Sequence, residues 1–158
     1  MSIPALESRE EQAAFAQEAI VRSEELRKAK QYKEAIALLV EALRYGIDKA
    51  MLYYRLGNVY FDAEDLGRAE YAYNRALEED PKHVNAMHNL SVIYKRQKKI
   101  SQYVKTYKKA QRMAIRYPRR KEFSSGEKRK IRLFSMKVLC WILGGIGVVV
   151  LLIWWFGR

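Results

Sequence analysis

Shifted against itself by 34 residues, the chain repeats, and a period of that length admits few architectures. The clearest copy, residues 50–83, carries Tyr53, Leu56, Gly57 and Tyr60, then Ala69, Tyr73, Ala76 and Pro81. Leu56, Tyr60 and Ala63 step as i, i+4, i+7, and so do Ala69, Tyr73 and Ala76, so each half of the period predicts one amphipathic helix. Asp65, Leu66 and Gly67 read as the turn between them, and Pro81 after Asp80 as the stop of the second helix. Gly57 and Ala69 are small where the two helices are expected to cross. A hairpin of this kind has apolar surface on two sides, so neighbours must stack to cover it, and about three are needed for stability.

One period onward, residues 84–117 give Met87, Leu90, Ser91 and Tyr94, then Tyr103, Tyr107 and Ala110, with Ile115 in place of the proline. One period back, residues 16–49 give Ala19, Arg22, Ser23 and Leu26, then Ala35, Leu39, Ala42 and Ile47, and residues 5–15 can extend the first helix. These residues resemble the tetratricopeptide repeat (TPR), with Tyr53 at the usual Trp and Tyr73 at the usual Phe. The resemblance covers about residues 16–117. It implies an all-α fold: a three-repeat TPR α-solenoid of antiparallel helix hairpins, here followed by one transmembrane helix. The domains expected are a TPR domain over 1–117 (repeats 16–49, 50–83 and 84–117), a basic juxtamembrane linker or helix over 118–137, and a transmembrane helix over 138–156.

Charge is distributed unevenly along this frame. Residues 1–81 hold 11 Lys/Arg against 16 Asp/Glu, whereas residues 82–137 hold 18 Lys/Arg and only Glu122 and Glu127. The basic half suits an anionic partner, and the neighbouring apolar run makes lipid head groups the first candidate. The single cysteine, Cys140, excludes a disulfide framework and a thiolate metal cluster within one chain. His83 and His88 are five apart, off a common helical face, so no metal is expected. No Gly-rich phosphate loop or nucleophile–base spacing is present, so neither an enzyme nor a cofactor is expected. Asp62, Glu64 and Asp65 read as solvated turn residues. Residues 1–20 carry four acidic side chains and lack the apolar core of a secretory signal.

Residues 138–156 are 19 consecutive uncharged, almost wholly apolar residues. As a helix they extend about 28 Å, close to the thickness of a bilayer's hydrocarbon layer. Trp141, Trp154 and Trp155 lie near the ends, where amphipathic rings favour the interface. With only Gly157 and Arg158 beyond, the run reads as a C-terminal tail anchor of a single-pass protein. Arg119, Arg120, Lys121, Lys128, Arg129, Lys130, Arg132 and Lys137 crowd its repeat side; they place the repeats in the cytosol and are the candidate contacts to anionic lipid. Ser124 and Glu127 have capping-box spacing ahead of that basic stretch. Cys140, Gly144 and Gly147 form a small-residue face through which two anchors can pack into a homo-oligomer.

In a TPR stack the first helices line a concave groove. The resemblance implies that Gln17, Ile20 and Glu24 face it, with Met51, Tyr54, Arg55 and Asn58, and then Asn85, His88, Asn89, Lys95 and Arg96. Tyr54, Arg55, Asn58, Asn85, His88 and Asn89 are the candidate partner-binding residues, expected to point into the concave space and to bear little packing load. Asn58 and Asn89 coincide with two asparagines of the carboxylate clamp by which some TPR proteins hold chaperone C-termini, although the clamp's cations are missing. A separate basic stripe, Lys105, Lys109, Arg112 and Arg116, falls on one helical face opposite Tyr103, Tyr107 and Ala110. The function expected is a membrane-tethered adaptor that recruits or helps assemble protein partners at the cytosolic face. The alternative is a binder of nucleic acid or another anionic polymer through the basic third repeat and linker, although no nucleic-acid motif is present.

Overall fold

Each 34-residue period becomes two helices joined by three residues. The computed structural model describes residues 8–117, 132–137, 141 and 155–157. Six helices follow in order: α1 Arg9–Lys28, α2 Tyr32–Arg44, α3 Lys49–Asp62, α4 Leu66–Glu79, α5 Val84–Arg96 and α6 Ile100–Arg116. They pair as α1 with α2, α3 with α4 and α5 with α6. Successive hairpins stack through α2 on α3, α4 on α5, and α1 on α3. Among the described residues the fold is all helical, as the spacing predicts. The chain divides into two units, Met1–Pro118 and Arg119–Arg158, and all six helices belong to the first.

The turns inside the hairpins are built on a conformation that composition does not announce. Lys30, Glu64 and Lys98, one period apart, adopt left-handed φ values of 61°, 62° and 59°. Each lets the following amide reach back five residues: Gln31 N–H donates to the Leu26 carbonyl, Asp65 to Tyr60 and Lys99 to Tyr94, all at 2.9 Å. Those bonds satisfy carbonyls that a helix end leaves open. The turn in the second hairpin is therefore Ala63–Asp65, not 65–67, and Leu66 and Gly67 already belong to α4. Asp65 caps α4, its carboxylate accepting from the Arg68 amide at 3.0 Å. A left-handed L-residue costs about 1–2 kcal/mol, of which glycine returns part through the unfolded chain. Lys98→Gly is accordingly expected to raise stability by up to about 1 kcal/mol, and a lowered melting temperature would contradict this account.

Pro81 acts as the sequence suggests. Asp80 before it is extended (φ −134°, ψ 94°), as the ring of a following proline demands, and α4 stops after 14 residues. With Ile115 at the corresponding place, α6 runs on to 17 residues. At the crossing of α3 and α4, a Cβ on Gly57 would meet Tyr73 Cδ1 and Cε1 at 2.6 Å. The partner that requires the glycine is thus the Tyr73 ring rather than Ala69. Ser23 and Ser91 hold the same place in the other hairpins, both buried, and their hydroxyls donate to the Ile20 and His88 carbonyls at 3.1 and 2.6 Å.

Two cores result. One gathers Ala19, Ile20, Ala35, Leu39, Leu52, Leu56 and Val59; the other gathers Ala69, Tyr73, Ala76, Ala86, Leu90, Ile93 and Tyr94. Tyr53 and Tyr60 pack against both. At the N-terminal end, Ser8 and Glu11 form a reciprocal capping box, Ser8 Oγ accepting from the Glu11 amide at 3.1 Å. The box expected at Ser124 and Glu127 lies outside the described residues, as do Arg119, Arg120, Lys121, Lys128, Arg129 and Lys130. Arg132 and Lys137 bound a helical stretch, 132–137, with exposed side chains. Of the run 138–156 only Trp141, Trp155 and Phe156 are described, and among the described residues no helix is long and apolar enough to cross a membrane.

Candidate partner-binding groove

The first helices α1, α3 and α5 carry the residues assigned to the groove, and four of those side chains bond in pairs across the hairpin junctions. At the first junction Arg55 donates to Glu24 at 2.9 Å, while Arg27 bridges Glu24, at 2.7 Å, and Asp62. At the second, Asn89 Nδ2 donates to Asn58 Oδ1 at 3.0 Å, and the Arg96 guanidinium lies 5.1 Å from the Phe61 ring centre. The register is the same in both. Glu24 to Arg55 and Asn58 to Asn89 are each 31 residues apart; Arg27 to Asp62 and Phe61 to Arg96 are each 35 apart. The first junction is ionic. The second repeats it with amides and a cation over a ring.

Electrostatics follow from this pairing. The hydrogen bond from Arg27, with the charges of Arg27, Arg55 and Lys28, holds the Glu24 carboxyl below the usual carboxylate range, against the opposing effect of burial. Arg27 is held more firmly protonated by Glu24 and Asp62. Burial pushes the pKa of the Tyr73 hydroxyl up, so it stays a neutral donor, and it hydrogen-bonds Asn58 Oδ1 at 2.8 Å.

Arg55, Asn58 and Asn89 therefore correct the expectation that they bear little packing load: they are rungs of the junctions. The carboxylate-clamp likeness of the two asparagines also falls, because Asn58 Oδ1 already accepts from both Tyr73 and Asn89. Ile20 is buried in the first core instead of facing the groove. Gln17 donates to Asp48 at 2.6 Å. Tyr54 is half-buried against the second core, with its ring 4.7 Å from that of His83 and 6.2 Å from that of Tyr73. His88 is exposed beside Tyr107, and Asn85 is half-buried. His83 caps α5, its Nδ1 accepting from the Ala86 amide at 3.1 Å. Among the described residues no cluster of His, Cys, Asp and Glu is arranged to hold a metal.

Between α1, α3 and α5 the junctions leave a cavity of about 350 Å³, lined by Tyr54, Asn58, Phe61, Tyr73, Asn89 and Val92, with Arg27 and Asp62. Phe61, Val92, Arg27 and Asp62 are absent from the sequence-derived site. Asp62 is an ion-pair partner and not a solvated turn residue, and Glu64 pairs with Arg96 at 3.2 Å. The one available signal was the opposite charge of Arg27 and Asp62 at 35 residues. With the two cations of the first junction neutralised by two carboxylates, the cavity offers rings and amides. It suits an uncharged side chain or a backbone amide better than a free carboxylate.

A stack of helical hairpins with a cavity on its inner helices defines a repeat-type interaction module. Residues 50–83 match the tetratricopeptide repeat model, and residues 72–105 match a second model of the same description, which reads the period from α4 into α6. The two matches support a tetratricopeptide-repeat protein, a family of protein-interaction scaffolds. Among solved structures the chain is similar to the MamA RS-1 ArsTM double mutant, with a TM-score of 0.59 and 22% identity over 66% of this chain and 59% of that one. It is also similar to MamA 41-end from Desulfovibrio magneticus RS-1, with a TM-score of 0.56 and 24% identity over 64% of this chain and 57% of that one. These likenesses show the fold, and the chain spans under two thirds of the length of either structure. No curated protein matches the chain.

Proposed function

We propose that this protein is a non-enzymatic adaptor that is tethered to a membrane by residues 138–156 and holds an extended segment of a partner protein in the groove of α1, α3 and α5. The observation that carries the groove reading is the 350 Å³ cavity, whose rings sit beside side chains already satisfied by one another. Such a cavity takes one uncharged side chain of the partner, while exposed His88 offers a polar contact next to it. The tether rests on the uncharged run, and a cytosolic repeat domain on the basic residues before it. Anionic lipid at Arg119, Arg120, Lys121, Lys128, Arg129, Lys130, Arg132 and Lys137, and pairing of two anchors through Cys140, Gly144 and Gly147, belong to the same reading.

Val92→Trp tests the groove, because it fills the cavity without touching a junction hydrogen bond. A photo-crosslinker at Tyr54 in native membranes first identifies the captured protein. The Trp variant is then expected to lose that capture while melting within a few degrees of the parent. Undiminished capture by Val92→Trp would refute the groove. The tether is read separately: the full-length chain stays with membranes in alkaline or high-salt washes, and its release into the wash would refute membrane insertion.

A further inference from the structure

The two ends of the stack are finished differently. In α3 and α5 the residues turned toward the preceding hairpin are buried and apolar: Leu52, Leu56 and Val59, then Ala86, Leu90 and Ile93. One period earlier in α1 the same positions are Glu18, Arg22 and Glu25, all exposed. The N-terminal end is thereby closed to further stacking by charge, as a terminal repeat requires for solubility.

The C-terminal end has no such finish. Tyr32 and Ile36 of α2 and Leu66 of α4 pack into the cores, in hairpins that another hairpin follows, while the α4 position matching Ile36 is Glu70, paired with Lys99. The corresponding residues of α6 are Ile100 and Val104, which are 59% and 40% exposed, and Ile115 further along is 82% exposed. At these two positions the third hairpin keeps an apolar pair like the one the first hairpin packs into its core, and among Ser8–Tyr117 no successor covers it. Along one side of this stripe run Lys105, Lys108, Lys109, Arg112 and Arg116, all exposed, and α6 contains no carboxylate.

We propose that this face of α6 docks an amphipathic helix of a partner protein, with an apolar stripe for Ile100 and Val104 and glutamates or aspartates along its flanks. Charge selects that occupant. Stacking α1 of a second copy there buries Glu18, Arg22 and Glu25 against isoleucine and valine, at a prohibitive desolvation cost. Pairing two α6 helices sets like charges against each other. The stretch 119–137 of the chain itself carries eight cations against Glu122 and Glu127, the same sign as α6. An acidic helix gains both the apolar contact and the ionic one, in the manner of helix-in-groove recognition. This surface is distinct from the inner groove, so the two readings stand or fall separately.

The test uses the full chain in detergent micelles, with a benzophenone side chain in place of Val104. The probe is a synthetic helical peptide as long as α3, with leucines at the Leu52, Leu56 and Val59 spacing and glutamates on both flanks. The control peptide has lysines in place of the glutamates. The glutamate peptide is expected to form the adduct at a concentration at least about tenfold lower than the lysine peptide, and salt should narrow the gap. Lys108→Glu with Arg112→Glu, on exposed positions that leave the fold intact, should remove the preference. Equal labelling of the parent by both peptides, no adduct, an adduct between two copies, or an adduct within the chain would each overturn the proposal.

Discussion

Gly57→Leu is expected to destabilise the repeat domain by more than about 3 kcal/mol, the upper end of what overpacking costs. The first atom added already meets the Tyr73 ring at 2.6 Å. That ring cannot step aside: Tyr73 is 1% exposed, and its hydroxyl is fixed by Asn58. Relief must come from parting α3 and α4, whose packing forms the middle hairpin. Gly57→Ala should lie in the same direction with a smaller cost, because the roughly 0.5–1 kcal/mol that alanine gains within a helix does not offset the contact. Thermal or urea unfolding of both variants beside the parent reads the effect. A leucine variant that melts with the parent would show that the crossing is not where the structure has it.

The second large effect is expected at Arg27. Removing this guanidinium leaves the carboxylates of Glu24 and Asp62 at one junction with only Arg55 and Lys28 to answer them. The groups are 21–33% exposed, so the loss should fall between that of a surface pair and a buried one, on the order of 2 kcal/mol. The pH dependence has a definite sign. Glu24 has a lowered pKa in the folded protein, so its contribution is full above the ordinary value of 4.5 and is lost as pH falls through the lower folded value. The gap between parent and Arg27→Ala should therefore be widest at neutral pH and narrow in acid. A gap that is unchanged down the acid limb of a urea titration would place the effect in packing instead.

The sequence showed the hairpins and their order because period, residue size and proline are local properties. Gly57, Tyr73 and Pro81 can be placed without knowing which helix touches which. The turn of the second hairpin was misplaced by two residues because Glu64, like Lys30 and Lys98, adopts the left-handed conformation without being glycine, and no side-chain chemistry marks it. Arg55, Asn58 and Asn89 were expected to stand free of one another, and the structure pairs them across the junctions. Arginine and asparagine suited to hold a peptide are equally suited to hold each other. Only the 31- and 35-residue separations decide between those uses, and they depend on how far one hairpin turns against the next. Phe61 and Val92 were missed for the opposite reason, since apolar residues in a repeat are read as core by default.

Tyr53 and Tyr60 have a consequence for how the domain comes apart. In a stack of repeats, the penalty for having a folded neighbour beside an unfolded one sits at the junction. Here the two cores hold two rings of α3 in common, so melting the hairpin on either side of it bares tyrosine surface. The melting curve of such a short array is then a single step with no half-melted plateau. Between binding events the repeat stack then stays sealed, with little sticky interior shown to proteases or to its neighbours.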